Sequence, residues 1–280
     1  MRFPFIFALA LLSAANCHAS EGKLVDVDGR KMHIVCAGSG APTVILESGM
    51  GDGFDRWSKV QPEIARDYRT CSYDRAGIGT SDPRNGRSVA LLAGDLHALL
   101  KAAGEKPPYV LVGHSLGGLI VRKFAADHPS EVIGMVLVDS AHEEYRRRAP
   151  AVLLEESKNA LAASRAAYEK DKVARTLRGN PAWWEARFEE WELPDVETAV
   201  PPDRRKLDMP LVVITAGKRA KPASRSEEAH AAHIALQEEL QSELASRSPK
   251  SQHWHSGTGH YIQLDQPAMV IDAIRRVASP

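Results

Sequence analysis

The segment Gly113-His114-Ser115-Leu116-Gly117 is the part of the chain whose residue types and spacing could do chemistry. The apolar run Tyr109-Val110-Leu111-Val112 precedes it, and residues 118–125, of helical character, follow it. Between a strand and a helix, G-x-S-x-G forms a turn so tight that glycine is needed at its flanks, and the serine becomes an exposed nucleophile. The N–H of Leu116 is then free to bind a developing oxyanion. The same residues are also compatible with a glycine-rich turn that carries an idle serine.

A serine hydroxyl needs a base to take its proton, and histidine has a suitable pKa. Of the eleven histidines, His260 differs from the others because it ends the flexible loop 256–260, after the last predicted strand at 252–255. A loop at the carboxyl end of a strand can bring a side chain to the same sheet edge as Ser115. We therefore predict that His260 is the base.

A third group must fix the tautomer of the histidine and stabilise its charged form. Asp139 directly follows the predicted strand 135–138, the next strand after that of the nucleophile, and is the predicted acid. Its alternative role is to brace the turn that follows. Glu227 and Glu228 are the first carboxylates after the predicted strand at 211–215, and they stay open as alternative acids.

The second oxyanion donor is expected in the glycine-rich loop that follows the apolar strand 42–46. Gly49-Met50-Gly51 is flexible enough to aim an N–H at the site, so we predict that Met50 and Leu116 supply the two donors. Glu47 is a further candidate acid, although it is better placed to organise this loop. The loop lacks the lysine of a P-loop and the dinucleotide-binding spacing, so we assign it no phosphate.

Apolar strand runs alternate with helical segments along most of the chain. Two runs at 23–27 and 31–37 are joined at Asp28-Gly29, which predicts an initial hairpin. The later alternation is typical of a mostly parallel sheet covered by helices on both faces. The fold class predicted is therefore α/β.

Between residues 143 and 207 the sequence becomes charged and helical, with no apolar strand run. We predict that 143–207 is a helical lid, inserted between the core segments 20–142 and 208–280. Four aromatic residues cluster there at spacings near one helical turn: Trp183, Trp184, Phe188 and Trp191. We interpret them as packing residues, and the alternative is that some of them line an acyl- or aromatic-binding pocket.

The first nineteen residues read as a targeting segment rather than as part of the fold. Arg2 gives a positive start, residues 3–14 are apolar but too short to span a bilayer comfortably, and Cys17-His18-Ala19 offers a cleavage site. We predict a signal peptide, 1–19, and export to the periplasm or the medium, with no membrane span after cleavage. An uncleaved anchor is the alternative.

The charge balance limits which partners the protein is expected to bind, and the number of cysteines indicates whether a disulfide can form. Lys and Arg number 36 and Asp and Glu also number 36, so there is no electrostatic case for a nucleic-acid or anionic-membrane partner. After cleavage two cysteines are left, Cys36 and Cys71, each in a predicted strand. If these strands are antiparallel neighbours, a disulfide is geometrically possible. The alternative is a pair of buried thiols.

The order Ser115, Asp139, His260, with a glycine loop after the third strand, resembles that of the α/β-hydrolase superfamily. The segment 74–81 looks like the family's loop after the fourth strand. The resemblance covers residues 23–277 apart from the lid. It implies an eight-stranded sheet whose second strand is antiparallel and beside the fourth, which supports a disulfide between the two cysteines.

The chain departs from the family pattern in two places. The common His-Gly before the oxyanion residue is Ser48-Gly49 here, and the carboxylate that most members carry after the seventh strand is missing, with Lys218 and Arg219 nearby. A minority of the family has its acid after the sixth strand, and Asp139 matches that arrangement.

From these residues we predict an exported serine hydrolase that cleaves a small-molecule, ester-like substrate through an acyl-enzyme on Ser115. This chemistry needs neither a metal nor an organic cofactor. Amide, peptide or lactone hydrolysis on the same triad stays open. A binding protein that kept the scaffold without catalysis is the non-enzyme alternative.

Overall fold

The computed structural model describes residues 22–174 and 181–279. Eight strands form one sheet in the order β1-β2-β4-β3-β5-β6-β7-β8. The strands are β1 (Lys23–Val27), β2 (Arg30–Ala37), β3 (Thr43–Glu47), β4 (Thr70–Tyr73), β5 (Tyr109–His114), β6 (Val132–Val138), β7 (Leu211–Ala216) and β8 (Ser251–Ser256). The predicted α/β class and eight-stranded sheet are confirmed.

Strand direction separates one end of the sheet from the rest. β1 and β2 form the predicted hairpin, whose turn residues Asp28 and Gly29 have φ of 52° and 80°. Two consecutive positive φ values suit a tight turn between twisted strands. β2 also pairs antiparallel with β4, while the ladders from β4 through β3, β5, β6 and β7 to β8 are all parallel. The loops after β3, β5, β6, β7 and β8 therefore leave one edge of the sheet.

Helices cover both faces of the sheet and fill the connection between β6 and β7. The α-helices are α1 (Gln61–Ile64), α2 (Val89–Ala103), α3 (Leu116–Asp127), α4 (Tyr145–Arg148), α5 (Ala151–Ala174), α6 (Pro181–Trp191), α7 (Glu227–Ala245), α8 (Ile262–Asp265) and α9 (Pro267–Ala278). Short 3₁₀ helices lie at Phe54–Trp57, Pro129–Glu131 and Pro202–Arg204.

The core consists of two apolar layers, one on each face of the sheet. Successive residues of β5 alternate between them, as strand geometry requires: Leu111 packs in the layer beneath α2 and α3, whereas Val110 and Val112 pack in the layer with α9. Because β5 is buried on both faces, its residues 109–112 form a continuous apolar run. This central strand carries the nucleophile turn at its end.

The connection between β6 and β7 is helical in the parts described, and we call residues 143–207 the helical insertion. The ring of Trp184 on α6 lies 5.6 Å from that of Tyr168 on α5 and 5.8 Å from that of Phe188. These contacts join the two helices, as the packing interpretation of the aromatic cluster predicts. The role of the insertion as a lid stays a prediction.

A disulfide joins β2 to β4. Cys36 and Cys71 are directly opposite each other in the antiparallel ladder, and their sulfur atoms are bonded. The proposed signal peptide, 1–19, lies outside the described residues. Within 22–174 and 181–279, none of the helices combines the length and the apolar character that crossing a bilayer would need.

Candidate active site

Ser115 is the single residue between β5 and α3, and its backbone is strained. It has φ 52° and ψ −120°, a conformation that non-glycine residues rarely adopt. The neighbouring strand β6 and the loop after it hold Ser115 there: its N–H donates to Val138 O at 3.1 Å, and its carbonyl accepts from Ala141 N at 2.8 Å. A Cβ at Gly117 would lie 2.5 Å from Glu47 O, so this flank of the turn must be glycine.

The Ser115 side chain is half-buried, and its hydroxyl does not cap α3. The N–H of Leu116 is the first of that helix, and the first amides of a helix have no acceptor within it. The turn therefore presents a hydroxyl and a backbone donor together at the carboxyl edge of the sheet. This is the arrangement predicted from the G-x-S-x-G segment.

His260 and Asp139 meet at this edge. Nδ1 of His260 is 2.6 Å from Oδ2 of Asp139, which directly follows β6. The Asp139 side chain is 1% exposed and that of His260 is 43% exposed. Because an ionised carboxylate can only accept, Nδ1 carries the proton in the neutral ring and Nε2 is left as the acceptor. A ring in this tautomer can take a proton from a hydroxyl.

His114 brings His260 to the serine turn. Its Nε2 is 2.9 Å from the carbonyl oxygen of His260, to which it donates, and the two rings lie 4.5 Å apart. His260 thus contacts the residue directly before Ser115. In the described part of the chain no hydrogen bond joins the Ser115 hydroxyl to His260, and in enzymes without substrate such bonds are often long.

Arg219 is a partner of Asp139 that the sequence interpretation missed. It lies in the loop after β7 and donates from Nη2 to Oδ1 at 2.5 Å and from Nη1 to Oδ2 at 3.1 Å. The N–H of Ala216 adds a bond to Oδ1 at 3.1 Å. Burial raises the pKa of Asp139, but the hydrogen bond with His260 and the charge of Arg219 outweigh it and hold that pKa well below its ordinary value.

The alternative acids lie elsewhere. Glu227 and Glu228 are exposed at the start of α7, and Glu227 pairs with Lys221 at 3.1 Å. Glu47 is buried and accepts from Arg75 Nη1 at 2.6 Å and from the hydroxyl of Tyr73. Among the candidates, Asp139 is the carboxylate that contacts His260 in the residues described.

Arg75, in the loop after β4, donates hydrogen bonds to the backbone of the predicted oxyanion loop, residues 48–53. Its Nη1 donates to Ser48 O at 2.8 Å, and its Nη2 donates to Gly49 O at 2.5 Å. Met50 is partly buried and packs against the core layer that lies beneath α2 and α3. Arg75 thus joins the 74–81 segment to the oxyanion loop and to Glu47, the residue predicted to organise that loop. The sequence pattern did not predict this connection.

Burial makes His114 a poor base. The ring is fully buried, and burial, reinforced by the nearby His260, lowers its pKa to about 3. A histidine that stays neutral at physiological pH suits its role as a hydrogen-bond donor to the His260 carbonyl.

Some groups of side chains outside the predicted triad have metal-ligand geometry. Within the parts of the chain that the structure describes, they are Cys36, Cys71 and Glu105; His97, His128 and Glu131; and Glu238, His253 and His255. The cysteines of the first group form the disulfide. The other two groups include no residue of the predicted triad.

The family model described as alpha/beta hydrolase fold matches residues 42–221, more than half of the chain. YqjL, an uncharacterized protein of Bacillus subtilis, is 37% identical over 121 residues, which are 42% of this chain and 48% of that protein. RutD of Klebsiella pneumoniae, whose name gives carbamate hydrolysis as a proposed activity, is 39% identical over 102 residues, 36% of this chain and 38% of RutD. The chain thus spans less than half the length of these relatives.

Solved structures share the fold over nearly the whole chain. Est816, described as an N-acyl homoserine lactone degrading enzyme, has a TM-score of 0.62 and 20% identity, covering 90% of this chain and 99% of its own. The enol-lactonase of Burkholderia xenovorans has a TM-score of 0.60 and 17% identity, covering 90% and 97%. At such identities the likeness shows the fold alone.

Proposed function

Because this chain belongs to the alpha/beta hydrolase fold family, we propose that it is an exported serine hydrolase that cleaves an ester-like bond in a small molecule. The observation that carries the proposal is the 2.6 Å hydrogen bond between His260 and Asp139, beside a serine in a strained turn. A base oriented by a buried carboxylate next to a serine hydroxyl is the arrangement that activates a serine.

In the acylation step, the Oγ of Ser115 attacks the ester carbonyl while Nε2 of His260 takes its proton. The carbonyl oxygen becomes an oxyanion, bound by the N–H groups of Leu116 and Met50. Asp139 stabilises the imidazolium, which its lowered pKa supports because the carboxylate stays ionised. The intermediate then collapses, and the leaving alcohol takes the proton from His260.

In the deacylation step, water attacks the acyl carbon and gives a proton to Nε2 of His260. The second tetrahedral intermediate expels Oγ of Ser115, which recovers that proton. One ester and one water are thereby converted to an acid and an alcohol, and the enzyme returns to its starting state.

Export is part of the proposal and has its own support. The predicted signal peptide, 1–19, implies an oxidising compartment, and a disulfide between Cys36 and Cys71 suits such a compartment. The mass of the protein recovered from a periplasmic or culture fraction tests it. Cleavage after Ala19 is expected, whereas an intact amino terminus in a cytoplasmic fraction would contradict export.

An aryl fluorophosphonate probe tests the nucleophile. We expect a covalent label on Ser115 in the folded protein, no label in Ser115→Ala, and turnover of p-nitrophenyl esters by the unsubstituted protein alone. A graded series of acyl lengths then defines the substrate class. A folded protein that neither reacts with the probe nor hydrolyses any of the esters would favour the binding protein instead.

A further inference from the structure

Two side chains of the helical insertion hold both backbone groups of Gly51 in the oxyanion loop. The N–H of Gly51 donates to Oε2 of Glu190 at 2.7 Å, and Nε1 of Trp183 donates to the carbonyl of Gly51 at 2.7 Å. Both side chains belong to α6. Gly51 has φ of 71°, a left-handed conformation that glycine adopts without steric cost.

Glu190 also anchors the arginine behind the loop. Its Oε1 accepts from Arg75 Nε at 2.8 Å, and its Oε2 accepts from Arg75 Nη2 at 3.0 Å. The two side chains are 0% and 2% exposed. A buried ion pair of this kind is costly to break, because either charge would be left unpaired away from water. The carboxylate of Glu190 thus connects Arg75 to the backbone of Gly51.

These contacts fix three consecutive peptide units. In a trans peptide the carbonyl and the N–H point in opposite directions, and the cis bonds among the described residues lie elsewhere, before Pro42 and Pro108. Arg75 binds the carbonyl of Gly49, so the N–H of Met50 points away from Arg75. Glu190 and Trp183 fix the next two units through the N–H and the carbonyl of Gly51.

We propose that Glu190 and Trp183 are positioning residues that complete the oxyanion hole by orienting the N–H of Met50. The inference rests on the proposed function and deepens it. The helical insertion would then contribute to catalysis as well as to access, because withdrawing α6 would release the peptide units on both sides of Gly51. The donor would lose its fixed direction, and stabilisation of the oxyanion depends on that preorganisation.

Matched substitutions on α6 separate this role from simple packing. Trp183→Phe removes the N–H donor and keeps a ring. Its control is Trp184→Phe, since Nε1 of Trp184 is buried with no hydrogen-bond partner among the residues described. Glu190→Gln removes the charge and keeps the shape. Its control is Glu189→Gln, because the Glu189 side chain is 42% exposed and pairs with Arg87.

The measurements are kcat and KM for a p-nitrophenyl ester and the inhibition constant of an arylboronic acid, which forms a tetrahedral adduct on the serine. We expect kcat to fall about tenfold in Trp183→Phe and about a hundredfold in Glu190→Gln. Boronic acid binding should weaken by similar factors, while KM stays within about twofold because the ground-state ester makes little use of the hole. Both controls should stay within about twofold of the unsubstituted protein.

Folded Trp183→Phe protein with unchanged kcat and unchanged boronic acid affinity would overturn the proposal, as would a rise in KM alone, which indicates a binding surface. If Glu190→Gln fails to fold, Trp183→Phe still decides the question. An unsubstituted protein with no turnover and no probe label would instead contradict the proposed function, and the inference with it. If the unsubstituted protein turns over the ester and the α6 variants have the same kcat, the inference is contradicted but the proposed function is not.

Discussion

Arg219 donates hydrogen bonds to both carboxylate oxygens of Asp139, at 2.5 Å to Oδ1 and at 3.1 Å to Oδ2. The loop after the seventh strand, where most members of the family carry their acid, thus supplies a cation that binds an acid from the loop after the sixth. Oδ2 also takes the hydrogen bond from His260. The Asp139 carboxylate that orients His260 is therefore itself held in place by Arg219 and by the backbone N–H of Ala216.

Asp139→Asn tests the assignment of the acid. We expect kcat for an ester substrate to fall by about 10³- to 10⁴-fold, because an amide cannot stabilise the imidazolium and can hold the ring in the wrong tautomer. Glu227→Gln and Glu228→Gln should keep turnover within about twofold, since both side chains are exposed at the start of α7. A collapse of turnover in either glutamine variant, with Asp139→Asn active, would show that the acid is assigned wrongly.

The local parts of this site could be predicted from the sequence. Residues 109–112, before the serine turn, and residues 135–138, before Asp139, are continuous apolar runs, because both are buried on the two faces of the sheet. Parallel strands end at one edge, so the loops that carry Ser115, Asp139 and His260 could be assigned to that edge from strand order alone.

The contacts that support the site could not be predicted in the same way. Glu190 is 139 residues from Gly51 in sequence and lies in the charged run 189–190, which looks like a solvated helix face until the fold buries it. Arg219 is 80 residues from Asp139. The sequence shows only that Arg219 lies in a loop where the family usually has a carboxylate. A local pattern of this kind does not say which side chain the arginine binds.

Arg219→Gln tests whether the cation stabilises the acid. Asp139 keeps His260 and one backbone N–H but loses two charge-assisted hydrogen bonds, so we expect the free energy of unfolding to fall by about 2 kcal/mol. Turnover should fall by about tenfold as the carboxylate loses orientation. Urea unfolding and ester hydrolysis measure the two effects.

Lys218→Gln is the matched control for this substitution. It removes a neighbouring cation that is exposed, so stability and turnover should both stay close to those of the unsubstituted protein. Equal losses in the two variants would mean that general charge, rather than the contact with Asp139, accounts for the effect.

The disulfide should contribute measurably to stability. Cys36 and Cys71 are 35 residues apart in sequence, and closing a loop of that length restricts the unfolded chain, which is worth about 2–4 kcal/mol. We expect a reducing agent to lower the free energy of unfolding by that amount, with no effect on the Cys36→Ala/Cys71→Ala variant. Two alkylated thiols in the protein before reduction would show that the bond does not form.

His114 should make the protein less stable as the pH falls below neutrality. Burial lowers the pKa of this ring from its ordinary 6.5 to about 3. Between those values the unfolded chain binds a proton that the native state does not, so the free energy of unfolding falls as pH falls, by up to about 1.4 kcal/mol per pH unit. The contribution of His114 to the free energy of unfolding is fully present above about pH 6.5 and is lost as the pH falls towards about 3.

His114→Gln removes that titration while keeping a side-chain donor for the His260 carbonyl. The free energy of unfolding of both proteins is measured with urea at about pH 7, 6 and 5. It should depend less steeply on pH in the variant, and the difference in slope near pH 5 should correspond to the uptake of about one proton on unfolding. Burial also lowers the pKa of His142 to about 3 and of His233 to about 4, so a residual slope should persist in both proteins. Parallel slopes would mean that His114 takes up its proton in the native state, which is incompatible with a ring kept neutral to position His260.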